Sequence, residues 1–150
     1  MSIRVRPAHP DDAPFIVNSN CKMARETEEL ALDRKVVRSG VRAVLEDSSK
    51  GLYFIAELDG DAAGQLMITY EWSDWRNGNI WWIQSVYVVR KCRRKGVFKA
   101  LYRHVEELAD QMGAAGLRLY VEENNAVAQK TYRRLGMRIS HYRVMTTTSD

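Results

Sequence analysis

The sequence predicts an α/β fold in which a parallel strand–helix–strand unit lies inside a mixed sheet. Three observations support this prediction. The strongly apolar run Ile80 to Val89 is typical of a strand that is covered on both faces. After Gly96, apolar residues recur every three or four positions up to Met112, which is the period of an amphipathic helix. A second strand pattern, Leu117 to Val121, follows this helix, and parallel neighbours need such a crossover connection.

The elements before this unit are predicted from alternation and from turn signals. Ile3 to Ala8 alternates and is expected to form a short strand. Pro10–Asp12 places a proline and two acids where helix starts favour them, so a first helix is expected to begin there. A second helix is expected over Leu32–Asp47. Asp59-Gly60 is a hairpin signal between two strands within residues 52–72.

The chain is expected to end in a short helix and a last strand. Asn125 to Gly136 begins with a good capping residue and ends with a glycine, which is typical of a helix. Residues 137–147 are expected to form the strand. The chain shows no repeat, no low-complexity tract and no long linker, so residues 1–150 are expected to form one domain around a single core.

The composition excludes several classes of protein and site. A net charge of +4 permits an anionic ligand without requiring nucleic acid. The sequence has no apolar run of membrane-spanning length and no apolar core of a signal peptide near its first residue, so we expect a cytoplasmic protein that engages no membrane. Two cysteines and three dispersed histidines predict neither a disulfide framework nor a metal site.

The segment between the central strand and its helix is strongly basic. Arg90 to Lys95 places five cations in six residues, and Gly96 follows where the helix begins. A helix N-terminus offers unpaired N–H groups and the positive end of its dipole, which together form a phosphate cradle when a glycine allows close approach. A solvated basic turn is the alternative. The segment is neither a Walker A loop nor a GxGxxG fingerprint, because it lacks both glycine patterns.

Two motifs carry a resemblance to a known family. The run Val86–Val88 followed by RKCRRKGVFKAL resembles motif A of the GNAT superfamily of N-acetyltransferases, Arg/Gln-x-x-Gly-x-Gly/Ala. Arg93 and Gly96 match this motif, whereas Phe98 replaces its usual small residue. Downstream, NAVAQKTYRRLGM is similar to the family signature Asn-x-x-Ala-x-x-x-Tyr-x-x-x-Gly-Phe. The matching positions are Asn125, Ala128, Tyr132 and Gly136, with Met137 in place of Phe. The resemblance spans Ile3 to Met137.

The resemblance implies both a fold and a cofactor. The GNAT acyl-CoA N-acyltransferase fold has a mixed central sheet of about six or seven strands flanked by about four helices. Acetyl-CoA would lie between the two parallel strands where they splay apart. The backbone of Val86–Val88 would pair with its pantetheine arm, and the amides of Arg94–Lys99 would hold its pyrophosphate. The residues expected to bind the cofactor are Val86, Tyr87, Val88, Arg93, Arg94, Lys95, Gly96, Val97, Phe98, Lys99, Asn125, Ala128 and Tyr132.

Tyr132 is also the candidate catalytic residue. In the family a tyrosine at this position protonates the leaving thiolate. A phenol has an ordinary pKa of about 10, so it carries its proton at neutral pH. The alternative is that Tyr132 packs between helix and sheet with its hydroxyl bound to water. The motif match favours the catalytic role.

The acceptor side is expected in the segment of residues 68–85, which holds all four tryptophans of the chain. This segment loosely resembles the corresponding part of spermidine/spermine and diamine acetyltransferases. An aromatic and acidic loop suits a cationic amine, so Trp72 and Asp74 are expected to bind the substrate. The alternative is a hairpin whose tryptophans cover the edge of the core.

The base that removes the amine proton is not obvious. In the spermidine/spermine enzymes a glutamate assists from the strand before motif A, and the resemblance places Gln84 there, which cannot accept a proton. Gln84 is therefore expected to order a water or the acceptor. Glu71 is our first candidate for the base, and Glu28 is the reserve. Glu26, Glu28 and Glu29 either form the other wall of the acceptor site or, more simply, a solvated helix face.

The predicted function is direct transfer of acetyl from acetyl-CoA to a primary amine on a small cationic molecule. A protein or peptide amine as acceptor and a non-catalytic acyl-CoA-binding relative are the alternatives, and Tyr132 favours an enzyme because a binding protein would not require it. A nucleic-acid-binding domain is disfavoured, since its cations should spread over one face with aromatic residues between them. A homodimer is compatible with the resemblance, with the tail His141–Asp150 exchanged between subunits.

Overall fold

The computed structural model of the protein describes residues 1–148 and divides the chain into two compact units, Met1–Leu119 and Tyr120–Asp150. The first unit contains five strands and three helices, and the second contains one helix. The strands are β1 (Ile3–Pro7), β2 (Leu52–Leu58), β3 (Asp61–Ser73), β4 (Gly78–Val88) and β5 (Gly116–Leu119). The helices are α1 (Ala13–Glu28), α2 (Arg34–Glu46), α3 (Val97–Gln111) and α4 (Ala126–Arg134), with 3-10 turns at Pro10–Asp12 and Arg90–Cys92.

The sheet has the strand order β1-β2-β3-β4-β5 and is mixed, as predicted. All neighbours are antiparallel except β4 and β5, which are parallel and joined by the crossover helix α3. The hairpin between β2 and β3 turns at Asp59 and Gly60, whose φ angles of 52° and 90° match a turn with two left-handed residues. The predicted strand–helix–strand unit and hairpin are therefore confirmed.

The sheet has fewer strands than the six or seven that were expected. Residues 137–147, expected to form a last strand, pair with no strand in the described part of the chain. Their sequence alternates like a strand, but alternation describes only the side chains, whereas a strand also needs a neighbour for its backbone hydrogen bonds. Ile139, Val144 and Met145 are consequently exposed.

The core lies on both faces of the sheet. On one face α1 and α2 contribute Ile16, Val17 and Val41, which pack against Tyr53 and Ile55 of β2. Each fully buried side chain of this size stabilises the fold by about 1.5–3 kcal/mol relative to an exposed one. The face is therefore a continuous apolar layer that fixes the two helices on the sheet.

The helix α3 covers the opposite face. His104 of this helix stacks edge-on against Phe54, with 5.4 Å between ring centroids, and Leu101 is fully buried. A Cβ atom at Gly64 would lie 3.0 Å from both Val97 Cγ1 and the Tyr87 carbonyl oxygen. Glycine at this position allows the first turn of α3 to lie directly on β3. The start of α3 is thereby held next to the end of β4.

A buried amide pair joins α1 to the centre of the sheet. The Gln65 side chain is fully buried, and its Nε2 donates to Asn20 Oδ1 at 3.1 Å. Burial raises the pKa of the neighbouring Tyr53, while its hydrogen bond with Asn20 acts in the opposite direction. Buried polar groups that are hydrogen-bonded favour one packing arrangement, so this pair fixes α1 against β3.

The second unit has a well-defined helix. Asn125 caps α4 by accepting a hydrogen bond from the Ala128 amide at 3.0 Å, as the sequence predicted. Gln129 Nε2 donates to the carbonyl oxygens of Glu122 and Glu123, which ties the preceding turn to the helix. The chain leaves the helix at Gly136, whose φ of 99° suits a glycine stop.

Neither a membrane span nor a metal centre is found in residues 1–148. No helix in this range is both long and apolar enough to cross a bilayer. The same residues contain no group of three potential metal ligands among histidine, cysteine and acidic side chains. The two cysteines, Cys21 and Cys92, are free thiols.

Candidate active site

The two parallel strands pair over a short length, because β5 ends at Leu119 while β4 continues. Their register runs from Ile80 opposite Gly116 to Ile83 opposite Leu119. β4 continues through Gln84–Val88, and in the described part of the chain no strand pairs with these residues on the β5 side. Their backbone groups on that side form an open edge, to which an extended ligand can add like a strand.

A β-bulge bends β4 at the start of this open edge. Gln65 faces Tyr87 and Met67 faces Gln84, so two residues of β4, Ser85 and Val86, stand where β3 has one. Ser85 has a φ of 51°, which is left-handed and unusual for a residue other than glycine. A bulge bends its strand and increases the local twist, so β4 bends just beyond Ile83, its last residue paired with β5.

The basic loop leads directly to the N-terminus of α3. Cys92 is buried and holds the middle of the loop on the protein. Gly96 is the N-cap of α3 with a φ of 87°, a conformation that L side chains rarely adopt. Gly96 has no side chain to accept a hydrogen bond from the first turn of α3, whose backbone N–H groups point toward the loop. The loop and helix therefore form an anion-binding corner.

Two of the five loop cations are held by one acid. Arg93 Nη2 lies 2.9 Å from Glu26 Oε1, and Arg90 Nη2 lies 3.3 Å from the same oxygen. Lys91, Arg94 and Lys95 are exposed, and no ion pair with an acid is found for them within residues 1–148. The loop therefore divides into cations that fix its shape and cations that face solvent.

Glu26 is the centre of a polar cluster at the end of α1. The Tyr87 hydroxyl donates to Glu26 Oε2 at 2.5 Å, and Arg93 lies over the Tyr87 ring at 5.3 Å from its centroid. Arg93 Nε also donates to the Val88 carbonyl oxygen at 2.9 Å. The Tyr87 hydrogen bond, with those from Arg93 and Arg90, lowers the pKa of Glu26 to about 2, while burial and Glu26 raise that of Tyr87. The cluster joins α1, β4 and the basic loop.

Glu26, for which a solvated helix face was the simpler expectation, contacts the basic loop. Both Glu26 and Glu28, the last residue of α1, are exposed residues, but the side chain of Glu26 is only 24% exposed. The sequence spacing indicates this contact, because Glu26 lies seven residues after the buried Ser19. Residues seven apart lie on the same face of a helix. Within residues 1–148, no ion pair joins Glu28 to the basic loop.

Phe98, the departure from motif A, is half-buried in the first turn of α3. Its ring lies 6.2 Å from that of Tyr102, which is one helical turn further along. The two rings are therefore neighbours on one face of α3, as residues four apart on a helix are.

A polar row runs along the face of the sheet that carries α1 and α2. Gln84 Nε2 donates to Thr69 Oγ1 at 2.6 Å. Further along, Trp82 Nε1 donates to Glu71 Oε1 at 2.8 Å, and Arg118 Nη1 lies 3.6 Å from Glu71 Oε2. Trp82 is half-buried and lies between the positions of Gln84 and Glu71 on this face. The row offers a surface where a polar acceptor can lie.

The predicted acceptor residues do not all come together. Met67 faces Gln84, and Glu71 lies four residues further along β3, so about 13 Å separates the two positions. Trp72 and Asp74 are still further along, at the hairpin end, and Trp72 is 62% exposed. Trp81 is buried on the opposite face, against Tyr70. The four tryptophans therefore do not form one aromatic site, and Trp82 is the one beside Gln84.

The remaining predicted residues, Asn125, Ala128 and Tyr132, belong to the second unit. Asn125 and Ala128 form the cap of α4. Tyr132 is half-buried in the same helix, and burial raises its pKa, so the phenol keeps its proton at neutral pH. Their part in binding the cofactor remains a prediction.

Two known proteins with similar sequences are acetyltransferases. The chain is 34% identical over 91 residues to streptothricin acetyltransferase of Streptomyces lavendulae, a match that covers 61% of this chain and 46% of that enzyme. It is 27% identical over 146 residues to thialysine N-epsilon-acetyltransferase of Mus musculus, covering 90% of this chain and 84% of that enzyme. The chain thus spans less than half of the streptothricin enzyme.

A solved structure extends the likeness to the whole chain. The crystal structure of a possible acetyltransferase from Clostridium difficile 630 superposes with a TM-score of 0.92 at 41% identity, covering 100% of this chain and 99% of that one. Residues 18–137, which include the bulge, the open edge, the basic loop and α4, match the Acetyltransferase (GNAT) family. The chain therefore belongs to the GNAT acetyltransferase family.

Proposed function

We propose that this protein transfers the acetyl group of acetyl-CoA to a primary amine on a small, elongated, cationic molecule. The observation that carries the proposal is the open edge of β4 at Gln84–Val88, which leads directly into the basic loop and the start of α3. The likeness to enzymes named for streptothricin and thialysine, both amine-bearing small molecules, supports a small acceptor.

The residues present fit acetyl-CoA. The backbone of Val86–Val88 offers in-plane N–H and carbonyl groups for the amides of the pantetheine arm, as in strand addition. The backbone N–H groups of the first turn of α3 and the exposed side chains of Arg94 and Lys95 offer donors and positive charge for the pyrophosphate. When bound, acetyl-CoA supplies a thioester whose carbonyl carbon accepts the amine.

Arg93 has a different role from its neighbours in this proposal. Its Nε and Nη2 are engaged by Val88 and Glu26, so these contacts set the position of the guanidinium before any ligand arrives. Nη1 takes part in neither contact and remains the donor that Arg93 offers to an anion. Arg93 therefore shapes the loop and adds one directed donor, whereas Arg94 and Lys95 add mobile charge.

Gln84 is proposed to position the acceptor amine. Thr69 holds the Gln84 Nε2, which leaves the amide oxygen to accept an N–H of the amine or a water. An ordinary primary amine with a pKa near 10.4 costs about 4–5 kcal/mol to deprotonate at pH 7. Glutamine cannot supply that base, so the proton leaves to water while Gln84 retains the neutral amine.

Glu71 is proposed to act at the far end of the acceptor rather than on its reacting nitrogen. Its position lies about 13 Å from that of Gln84 along the strands, too far to remove the proton directly. A distal ammonium group could pair with the Glu71 carboxylate after passing the Trp82 ring. The exposed contact between Glu71 and Arg118, at 3.6 Å, is weak enough for a cationic ligand to replace it.

Tyr132 completes the proposal as proton donor to the leaving sulfur. A phenol with a raised pKa remains protonated at neutral pH and donates a hydrogen bond to the developing thiolate. This role carries over from the motif match.

A calorimetric titration with CoA and a free-thiol assay with acetyl-CoA test the proposal. We expect CoA to bind, Arg94→Glu to weaken binding, and the control Arg25→Glu, an exposed cation on α1, to leave it unchanged. Thiol release should be faster with linear diamines than with monoamines of equal length. Absence of CoA binding would remove the proposal. CoA binding without thiol release from any amine would favour a non-catalytic relative.

A further inference from the structure

A groove between α1 and α2 lies apart from every residue discussed in the proposed function. It encloses a cavity of about 160 Å³, with the buried side chains of Ala13 and Val17 and the ring of Pro14 along the α1 side. Arg34, Arg38 and Arg42 line the α2 side. The groove thus combines an apolar floor with a rim of guanidinium groups.

The three arginines form a single row. They are four residues apart along α2, so they share one helix face and span about 12 Å. Like charges at this spacing destabilise a helix by about 0.2–0.5 kcal/mol per pair, so the row does not serve the stability of α2. The face of α2 that packs on the sheet is formed by other residues, including Val37 and Val41.

Their charges are also uncompensated. Other arginines of the protein pair with acids; these are Arg6, Arg90, Arg93, Arg103 and Arg118. Within residues 1–148, no carboxylate forms an ion pair with any of the three groove arginines. Within the same residues, the one side-chain hydrogen bond that the three arginines form is that of Arg34 Nη2, which donates to the amide oxygen of Asn18 at the groove edge. The row is therefore available to an external anion.

The size and shape of the groove select the kind of anion. Small-molecule sites usually enclose about 300–1,000 Å³, which is larger than this cavity. A cavity of about 150 Å³ accommodates a group the size of benzene, so this one fits a single apolar side chain. The row of arginines is about 12 Å long, which is longer than a single small anion. Its spacing matches that of carboxylates placed one helical turn apart. No aromatic residue lines the groove for base stacking, which disfavours single-stranded nucleic acid.

We propose that this groove binds an acidic peptide segment of a partner protein. Glutamate or aspartate side chains on successive turns of the segment pair with Arg34, Arg38 and Arg42. One leucine- or phenylalanine-sized side chain between them enters the cavity over Val17. Guanidinium groups suit this recognition because they bind carboxylates in a bidentate manner.

Fluorescence anisotropy at low salt tests the proposal with a labelled helical peptide that carries three glutamates at four-residue spacing and one central leucine. We expect binding to the wild-type protein, about tenfold weaker binding to Arg38→Glu, and a similar loss with Arg42→Gln. Arg25→Glu, which changes an exposed arginine on α1 outside the groove, should bind like the wild type. Circular dichroism and thermal melts show whether each variant is folded.

Control ligands separate the acidic peptide from other polyanions. Replacing the peptide glutamates with glutamine should abolish binding, and leucine to alanine should weaken it by about tenfold. Absence of binding to the wild type, an equal loss in Arg25→Glu, or indifference to the leucine would overturn the proposal. Displacement of the peptide by inorganic phosphate or by a single-stranded oligonucleotide at similar charge concentration would also overturn it, in favour of a non-specific anion site. The binding readout does not depend on acetyl transfer.

Discussion

Replacing Glu26 with glutamine tests the cluster that joins α1, β4 and the basic loop. The substitution keeps the size of the side chain and an acceptor for the Tyr87 hydroxyl, but it removes the charge that Arg93 and Arg90 bind. The pKa of Glu26 falls from 4.5 to about 2 in the folded protein. This difference corresponds to at most about 3.4 kcal/mol at 1.36 kcal/mol per unit.

Solvent screening reduces this value. The Glu26 side chain is 24% exposed and Arg90 is 78% exposed, so the ion pairs are partly screened. We expect Glu26→Gln to lower the free energy of unfolding at pH 7 by about 1–2 kcal/mol, and the melting temperature by about 3–6 °C for a chain of this length. Glu28→Gln, two residues away on α1, should remain within about 0.5 kcal/mol of the wild type.

The pH dependence identifies the charge as the cause. Because the folded pKa is depressed, the stabilisation is present above the unfolded pKa of 4.5 and is lost as the pH falls toward about 2. Urea denaturation of wild type and Glu26→Gln should therefore differ at pH 7 and converge by more than half at pH 3. A double-mutant cycle with Arg93→Gln should show coupling at pH 7. Equal stability at pH 7, or a difference that is unchanged at pH 3, would refute the reasoning.

Four further substitutions test the proposed site. Tyr132→Phe should lower kcat by about 10²–10⁴-fold with little change in the KM for acetyl-CoA. The control Tyr142→Phe, which changes an exposed tyrosine, should leave kcat unchanged. If Tyr132→Phe does not change turnover while chemistry is rate-limiting, Tyr132 has only a packing role. Gly96→Ala should weaken CoA binding and destabilise the fold by about 1–3 kcal/mol, because Gly96 has a positive φ. The control Gly40→Ala, in open space on α2, should stabilise the fold. Normal CoA binding by Gly96→Ala would show that the basic loop does not bind the cofactor as proposed. In pH profiles of kcat/KM, Gln84→Glu should raise the rate near neutral pH because it adds a base. Glu71→Gln should raise the KM for diamines while the acidic limb of the pH profile stays unchanged. Loss of that acidic limb in Glu71→Gln would instead identify Glu71 as the base.

Much of the sheet could be predicted because its signals are local. The period change at Gly96 and the Asp59-Gly60 turn depend on neighbouring residues alone, and both elements were found as expected. The prediction of a strand over residues 137–147 was wrong because its signal is not local. Whether an alternating segment becomes a strand depends on a partner distant in sequence, which the alternation itself does not specify.

The difference between local and long-range signals also explains why the cofactor side of the candidate site could be predicted better than its acceptor side. The basic loop and its glycine are consecutive, so the sequence places them together. The tryptophans are close in sequence too, but strand alternation sends Trp81 and Trp82 to opposite faces of the sheet. Glu26 and Tyr87 are 61 residues apart, and only helix periodicity hinted that Glu26 faces inward. Proximity in sequence was therefore informative within a loop and misleading along a strand.

Tyr87 connects these two sides without a conflict of roles. In a strand, side chains stand perpendicular to the sheet, whereas backbone N–H and carbonyl groups lie within its plane. The Tyr87 hydroxyl can therefore remain bound to Glu26 on the α1 face, and the Tyr87 backbone can remain paired with Gln65 of β3, while the backbone of the neighbouring residues on the open edge of β4 pairs with an extended ligand. A ligand on that edge and an acceptor beside α1 then contact adjacent residues of β4. Glu26 is thus placed to fix the distance between the two, and its loss should affect the alignment of both substrates more than the affinity for either.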